Sequence, residues 1–204
     1  MRPSNLHLVS AASLHDSVAT QQRLPHGKLI EISGSRFAAR MSTAAAVVRE
    51  TQAEGDPAAW IQPLGGPLYP PDLDEAGIDL DALAVVHIPP PADDHHFAKA
   101  ADLLLRSGAF GAIVIDLSSS KPRCDIAWQR RLLGLAREHQ SRVLLLTHKP
   151  THASSLGSLI GLRIEPHRAR LRQDVFCIEH HVLKNKSGWL ENPPEHRRGP
   201  WGLR

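Results

Sequence analysis

The chain has 204 residues, a formal net charge of +3 and a pI near 9.1, enough for one α/β domain with a core and short appendages. Two widely separated cysteines, Cys124 and Cys177, exclude a disulfide framework, and no apolar run reaches the 18 residues of a membrane span. Met1-Arg2-Pro3-Ser4-Asn5 leads into no long apolar stretch, so a cytoplasmic protein without a secretory leader is expected.

Residues 1–26 read as a short, mixed, polar N-terminal segment. Lys28–Ser33 then alternates Leu29, Ile30 and Ile32 with polar residues, as a strand does. Ala38–Glu54 is alanine-rich and free of Gly and Pro, which predicts a helix stopped by Gly55. Ala58-Ala59-Trp60-Ile61 is a second strand, and the Pro- and Gly-rich stretch from Pro63 to Pro71 must be loop. Asp72–Ala76 predicts one helical turn ended by Gly77, and Leu83–Ile88 a third strand. Asp93 or Asp94 can cap a helix that runs to Arg106 and stops at Gly108. Ala112–Asp116 is a buried strand closed by an acid, Cys124–His139 an amphipathic helix, and Arg142–Thr147 another buried strand. Near-continuous apolar strands alternating with helices imply a parallel sheet.

The pattern then changes. Gly161–Pro166, Arg168–Arg172 and Val175–Leu183 show two-residue alternation without long helices, which predicts antiparallel strands added to one side of the parallel sheet. From Arg163 to the end, nine Lys/Arg stand against five Asp/Glu, a basic excess suited to nucleic acid or an acidic partner, or to a solvated surface. Residues 187–204 read as a flexible basic tail holding Trp189 and Trp201.

Gly34-Ser35-Arg36-Phe37-Ala38-Ala39-Arg40-Met41-Ser42 stands where a phosphate-binding loop belongs, between a strand and a helix. Such a loop needs glycines for close backbone approach, a Lys for the terminal phosphates and a Ser/Thr for Mg²⁺. Here Ala39 replaces the second glycine, Arg40 the Lys and Met41 the hydroxyl residue, with Ser42 one position late. Arg is a planar fork rather than a compact point charge. Asp116 ends its strand as a Mg²⁺-associated acid would, or as a turn cap. A degenerate nucleotide site made of Gly34, Ala39, Arg40, Ser42 and Asp116 is therefore expected, without catalysis and without a cofactor. His95-His96 and His180-His181 are adjacent pairs whose side chains diverge, so no metal site is expected.

These segments resemble the RecA recombinase core. Leu24-Pro25-His26-Gly27-Lys28-Leu29-Ile30-Glu31-Ile32-Ser33-Gly34 is similar to RecA's approach to its phosphate loop, and Ala109–Asp116 to the strand ending in the Mg²⁺-associated acid. Val182-Leu183-Lys184-Asn185-Lys186 resembles the segment carrying two lysines toward a neighbouring subunit's nucleotide. A more detailed resemblance is to the ImuA family, sometimes grouped with the cell-division inhibitor SulA. It rests on Ala59-Trp60-Ile61-Gln62-Pro63, Leu68-Tyr69-Pro70-Pro71, Ala76-Gly77-Ile78-Asp79-Leu80, Leu105–Ala112 and the ending Arg197-Arg198-Gly199-Pro200-Trp201.

The resemblance implies a RecA-like α/β core, mostly parallel and flanked by helices, over residues 27–186, between the segment 1–26 and the tail 187–204. It also implies an accessory of DNA-damage-induced mutagenesis in the SOS response, binding an ImuB-like polymerase relative and RecA during translesion synthesis. RecA-type DNA loops would correspond to Ser118–Arg123 and Lys149–Leu156, offering Lys121, Arg123 and Lys149 as weak DNA contacts without a stacking aromatic. Lys184, Lys186, Trp189, Arg197, Arg198 and Trp201 are the expected partner-binding residues, because Trp and Arg are favoured interface anchors. A short, polar N-terminal segment argues for a monomer when alone. The alternatives are a SulA-type division inhibitor or a weak NTPase using Arg40 and Asp116.

Overall fold

The computed structural model describes residues 23–35, 38–120, 126–172, 175–190 and 194–198. The elements in chain order are β1 (Lys28–Gly34), α1 (Arg40–Ala53), β2 (Ala58–Pro63), α2 (Pro70–Glu75), β3 (Leu83–Ile88), α3 (Asp94–Arg106), β4 (Ala112–Asp116), α4 (Ile126–Glu138), β5 (Arg142–His148), β6 (Leu162–Arg172), β7 (Val175–Asn185) and β8 (Glu195–Arg198). They build one sheet in the order β3-β2-β4-β5-β1-β6-β7-β8. The strands from β3 to β6 pair in parallel, and β7 and β8 are added antiparallel. The expected fold class is thus the observed one.

Side-chain alternation along the strands divides the core into two layers. Ile30, Ile32, Trp60, Val114, Leu144 and Leu146 face α1 and α2. Leu29, Ile61, Ile113, Ile115, Val143 and Leu145 face α3 and α4. Burial on both sides explains why these strands read as continuous apolar runs. Each large aliphatic side chain removed from water contributes about 1.5–3 kcal/mol. Asp93 caps α3 by accepting the His96 amide, as its position before the helix predicts.

At the other end of the sheet, fully buried Arg142 pins the start of β5 to α1. Its two terminal nitrogens donate to the Glu54 carboxylate at 2.9 Å each, and its Nε to the Leu24 carbonyl at 2.9 Å. Leu24 is itself core, so the packed domain begins before residue 27. The Arg142 guanidinium holds Glu54 down at about 2, well below the usual carboxylate range.

Two expectations change on the C-terminal side. The break read between Pro166 and Arg168 is absent, because β6 runs through Pro166. Pro166 cannot donate to a ladder, but it lies past Ile164, the last β6 residue in register with β1, where no β1 partner needs its amide. The tail is not uniformly loose. Trp189 is 4% exposed and packs in the α1-side core, and Glu195–Arg198 pairs with Val175–Ile178. Polar Glu-His-Arg-Arg carries no strand period, so only the waiting edge of β7 reveals β8.

Candidate functional site at the C-terminal edge of the sheet

The turn from β1 into α1 begins at Gly34, whose φ of +152° lies in a region that glycine tolerates best. A Cβ there would sit 2.5 Å from the Ala38 Cβ and 3.2 Å from a Glu165 carboxylate oxygen. The Ala38 amide donates to the Ser35 carbonyl, and the Ala39 amide to the Pro166 carbonyl at 3.1 Å. In a phosphate cradle such amides turn toward the anion. Here both are held by the protein, and Glu165, 3% exposed, adds a carboxylate beside the turn.

Arg40 opens α1 and reaches across the sheet edge to donate to the Thr147 carbonyl at 2.7 Å. Burial lowers its pKa, and the Asp116 carboxylate draws it back up. Asp116 is buried at the end of β4 and accepts the Ser118 amide at 2.9 Å, the turn-cap role. Arg40 and Asp116 are therefore brought together, with the guanidinium tied to the strand ends. Met41 packs against the α1-side core, and Ser42 is half-buried in the first turn of α1.

A second cluster escaped the sequence reading. Glu31, fully buried in β1, accepts Thr147 Oγ1 at 2.9 Å, Lys149 Nζ at 3.1 Å and the Leu156 amide at 2.8 Å. Buried Arg163 lies 4.0 Å from the same carboxylate and donates to Ser33 Oγ and to the Pro150 and Ala153 carbonyls. Lys184, directly opposite Arg163 in the β6–β7 ladder, donates to Ser155 Oγ at 2.9 Å and the Gly157 carbonyl at 2.8 Å. Burial lowers the Lys184 pKa, and Lys186 lowers it further. Three cations around one carboxylate thus fasten the loop from 149 to 158. Its signal in the sequence is a charged residue, Glu31, set between Ile30 and Ile32 in β1.

The expected site residues fare unevenly. Lys149 is engaged by Glu31 and by the Ser154 carbonyl, and Lys184 and Lys186 hold the loop, with Lys186 reaching the Ser158 carbonyl at 3.3 Å. Trp189 is core rather than an exposed anchor, because it closes the α1-side layer and its carbonyl accepts from the Asn185 amide group at 2.6 Å. Arg197 and Arg198 lie in β8. Lys121, Arg123 and Trp201 lie outside the described residues. Among the described residues no group of three His, Cys, Asp or Glu is placed to hold a metal ion, and no helix is long and apolar enough to cross a membrane.

The chain matches no protein-family model. It is 36% identical to the protein RecA of Nocardia farcinica over 104 residues, half of this chain and 29% of that one. It is 33% identical to the protein RecA of Mycobacterium leprae over 160 residues, 77% of this chain and 22% of that one. The chain therefore spans less than a third of the length of these relatives. A crystal structure of the RadB recombinase superposes with a TM-score of 0.60 at 13% identity, covering 85% of this chain and 88% of that one. That likeness is one of fold, and the RecA matches make the chain RecA-like in sequence as well.

Proposed function

We propose that this RecA-like chain is a non-catalytic adaptor of DNA-damage-induced translesion synthesis, binding an ImuB-like polymerase relative and RecA itself. The observation that carries the reading is the closed turn between β1 and α1. The Ala39 amide is held by Pro166, Glu165 lies against Gly34, and Arg40 is tied to Thr147. A triphosphate would have to displace a backbone hydrogen bond, a guanidinium and a buried carboxylate together. A RecA-like core without a working nucleotide pocket still offers a rigid body on which partners assemble.

The finer assignment is supported by the ImuA-like segments at Ala59–Pro63, Leu68–Pro71 and Ala76–Leu80. The second of these holds Tyr69, 60% exposed, and Leu64, 63% exposed, lies in the same connection between β2 and α2, so this connection offers apolar side chains that suit a protein partner. The tail around Trp201 is the other proposed contact.

The test is co-purification of the chain with an ImuB-like protein and with RecA. A stoichiometric complex that is lost in a Leu64→Glu, Tyr69→Ala variant or on deletion of residues 199–204 is expected. Binding to neither partner, together with block of the tubulin-like division protein's polymerisation, would replace this reading with the SulA-type one.

A further inference from the structure

β6 and β7 run on as a paired arm past Ile164, the last β6 residue in register with β1. Four side chains of metal-ligating type share one face of it. Side chains alternate along a strand, so Glu165 and His167 point the same way from β6, as Glu179 and His181 do from β7. The antiparallel register sets Glu165 opposite His181 and His167 opposite Glu179, which joins the two pairs into one block. The His167 and His181 rings meet across its diagonal, their centroids 4.4 Å apart. Each imidazole turns its Nε2 toward the carboxylate two residues away on its own strand. His167 Nε2 lies 3.6 Å from Glu165 Oε2, and His181 Nε2 lies 3.9 Å from Glu179 Oε2. Both histidines are half exposed, whereas Glu165 is buried and its Oε2 accepts no hydrogen bond among the described residues. Neighbouring His180 takes the opposite face, where its Nε2 meets Thr43 Oγ1 at 3.1 Å. The adjacent histidines diverge, and His181 finds its partner across the ladder instead.

We infer that His167 and His181 form a two-imidazole site for a first-row divalent cation such as Zn²⁺. Two imidazoles that hold one ion at a near-right angle, through bonds of about 2.0–2.1 Å, have ring centres roughly 4.5 Å apart. These two rings already stand at that spacing. The ion takes the Nδ1 atoms, because the Nε2 atoms face the carboxylates. Each strand then carries a carboxylate–histidine–metal relay, in which the outer carboxylate orients the ring and raises its basicity. An ion on Nδ1 also keeps the proton on Nε2, and so provides the donor that Glu165 Oε2 lacks. Water completes the coordination, so no third side chain has to reach the ion. The carboxylates behind the rings make the block negative, which favours a cation. Imidazole suits zinc, copper or nickel, whereas magnesium and calcium prefer oxygen. A bound ion would clamp β6 to β7 and hold Glu165 against Gly34, at the turn into α1. This inference goes beyond the adaptor reading and does not rest on it.

Titration of the full chain with Zn²⁺ against a chromogenic chelator tests it. The wild type should show saturable uptake at micromolar Zn²⁺. His167→Gln and His181→Gln, made singly, should each weaken that uptake at least roughly tenfold, the loss that even an outer-shell partner causes. Glu165→Gln should weaken it by about tenfold and keep the stoichiometry. A His95→Gln, His96→Gln variant should bind as the wild type does, since those rings lie 6.1 Å apart on adjacent residues of α3. His167 and His181 are half exposed, so their Gln variants should melt like the wild type in EDTA. Zn²⁺ should raise the thermal midpoint of the wild type and leave theirs in place. Nuclear magnetic resonance of the unaltered chain reads the site without any variant. Zn²⁺ should shift the ring signals of His167 and His181 ahead of those of the other described histidines. No saturable uptake at micromolar Zn²⁺, uptake unchanged by either single His variant, or other histidines shifting first would overturn the inference. Neither RecA nor a polymerase relative takes part, so either result leaves the adaptor reading where it stands.

Discussion

The Ala39 amide donates to the Pro166 carbonyl at 3.1 Å, joining the start of α1 to the β6–β7 arm. Two facts of sequence meet in that bond. Pro166 has no amide of its own to place, and Ala39 stands where a phosphate loop would keep a glycine free. The hydrogen bond closes the turn from the arm side, and Glu165 lies beside it.

Gly34→Ala should destabilise the fold by about 1–3 kcal/mol. The new Cβ would meet the Ala38 Cβ at 2.5 Å in a backbone conformation that L side chains rarely adopt. Urea unfolding monitored by circular dichroism measures it. A midpoint equal to wild type would mean that the turn is looser than described.

Glu31→Gln should be far more damaging, about 3–5 kcal/mol, because it leaves Lys149 and buried Arg163 without their counter-charge. The loop from 149 to 158 should lose its amide protection first in hydrogen exchange. Lys184→Met should cost about 1–2 kcal/mol, because it removes the donor that ties Ser155 Oγ and the Gly157 carbonyl to β7, a loss that relief of the charge facing Arg163 only partly offsets. A lysine with a depressed native pKa lowers stability while charged. Wild-type stability should therefore rise as pH climbs toward the free-lysine value of 10.5, and the Met variant should lose that component.

Acid should act through Glu54. Its native pKa of about 2 lies below the ordinary 4.5 because Arg142 binds it, so its contribution is complete above pH 4.5 and vanishes as pH falls through 2. Allowing for water around Glu54, the contribution is about 1–2 kcal/mol. Thermal melts of wild type and Glu54→Gln between these pH values should converge at the acid end. Parallel curves would assign acid sensitivity elsewhere.

Trp189→Ala should cost about 3–5 kcal/mol by opening a cavity in the α1-side core, while Trp189→Phe should retain most of the stability. Differential scanning calorimetry reads both. An Ala variant that melts like wild type would return Trp189 to the surface.

Much of this architecture was legible in the residues. β2, β4 and β5 are near-continuous apolar runs between Gly, Pro and helix-forming stretches, and burial on both faces gives them that signature, whereas the edge strand β3 leaves Val85 and His87 exposed. The β6–β7 alternation announced added antiparallel strands. The departure from a phosphate loop's residue pattern was legible in Ala39, Arg40 and Met41. What replaced it was not, because Glu165 and Pro166 reach the turn only through the sheet order. The Glu31 cluster joins residues more than a hundred positions apart, with Thr147 at 116 and Leu156 at 125. Trp189 looked like a tail anchor because its neighbours are Gly, Ser and Glu, and only the fold returns it to the core.

Equilibrium dialysis of the full chain against ATP with Mg²⁺ tests the central claim most directly. The closed turn predicts no saturable binding up to millimolar nucleotide, and none gained when Arg40→Lys alone restores the missing lysine. One ATP bound per chain at micromolar nucleotide, abolished by Asp116→Ala, would contradict it.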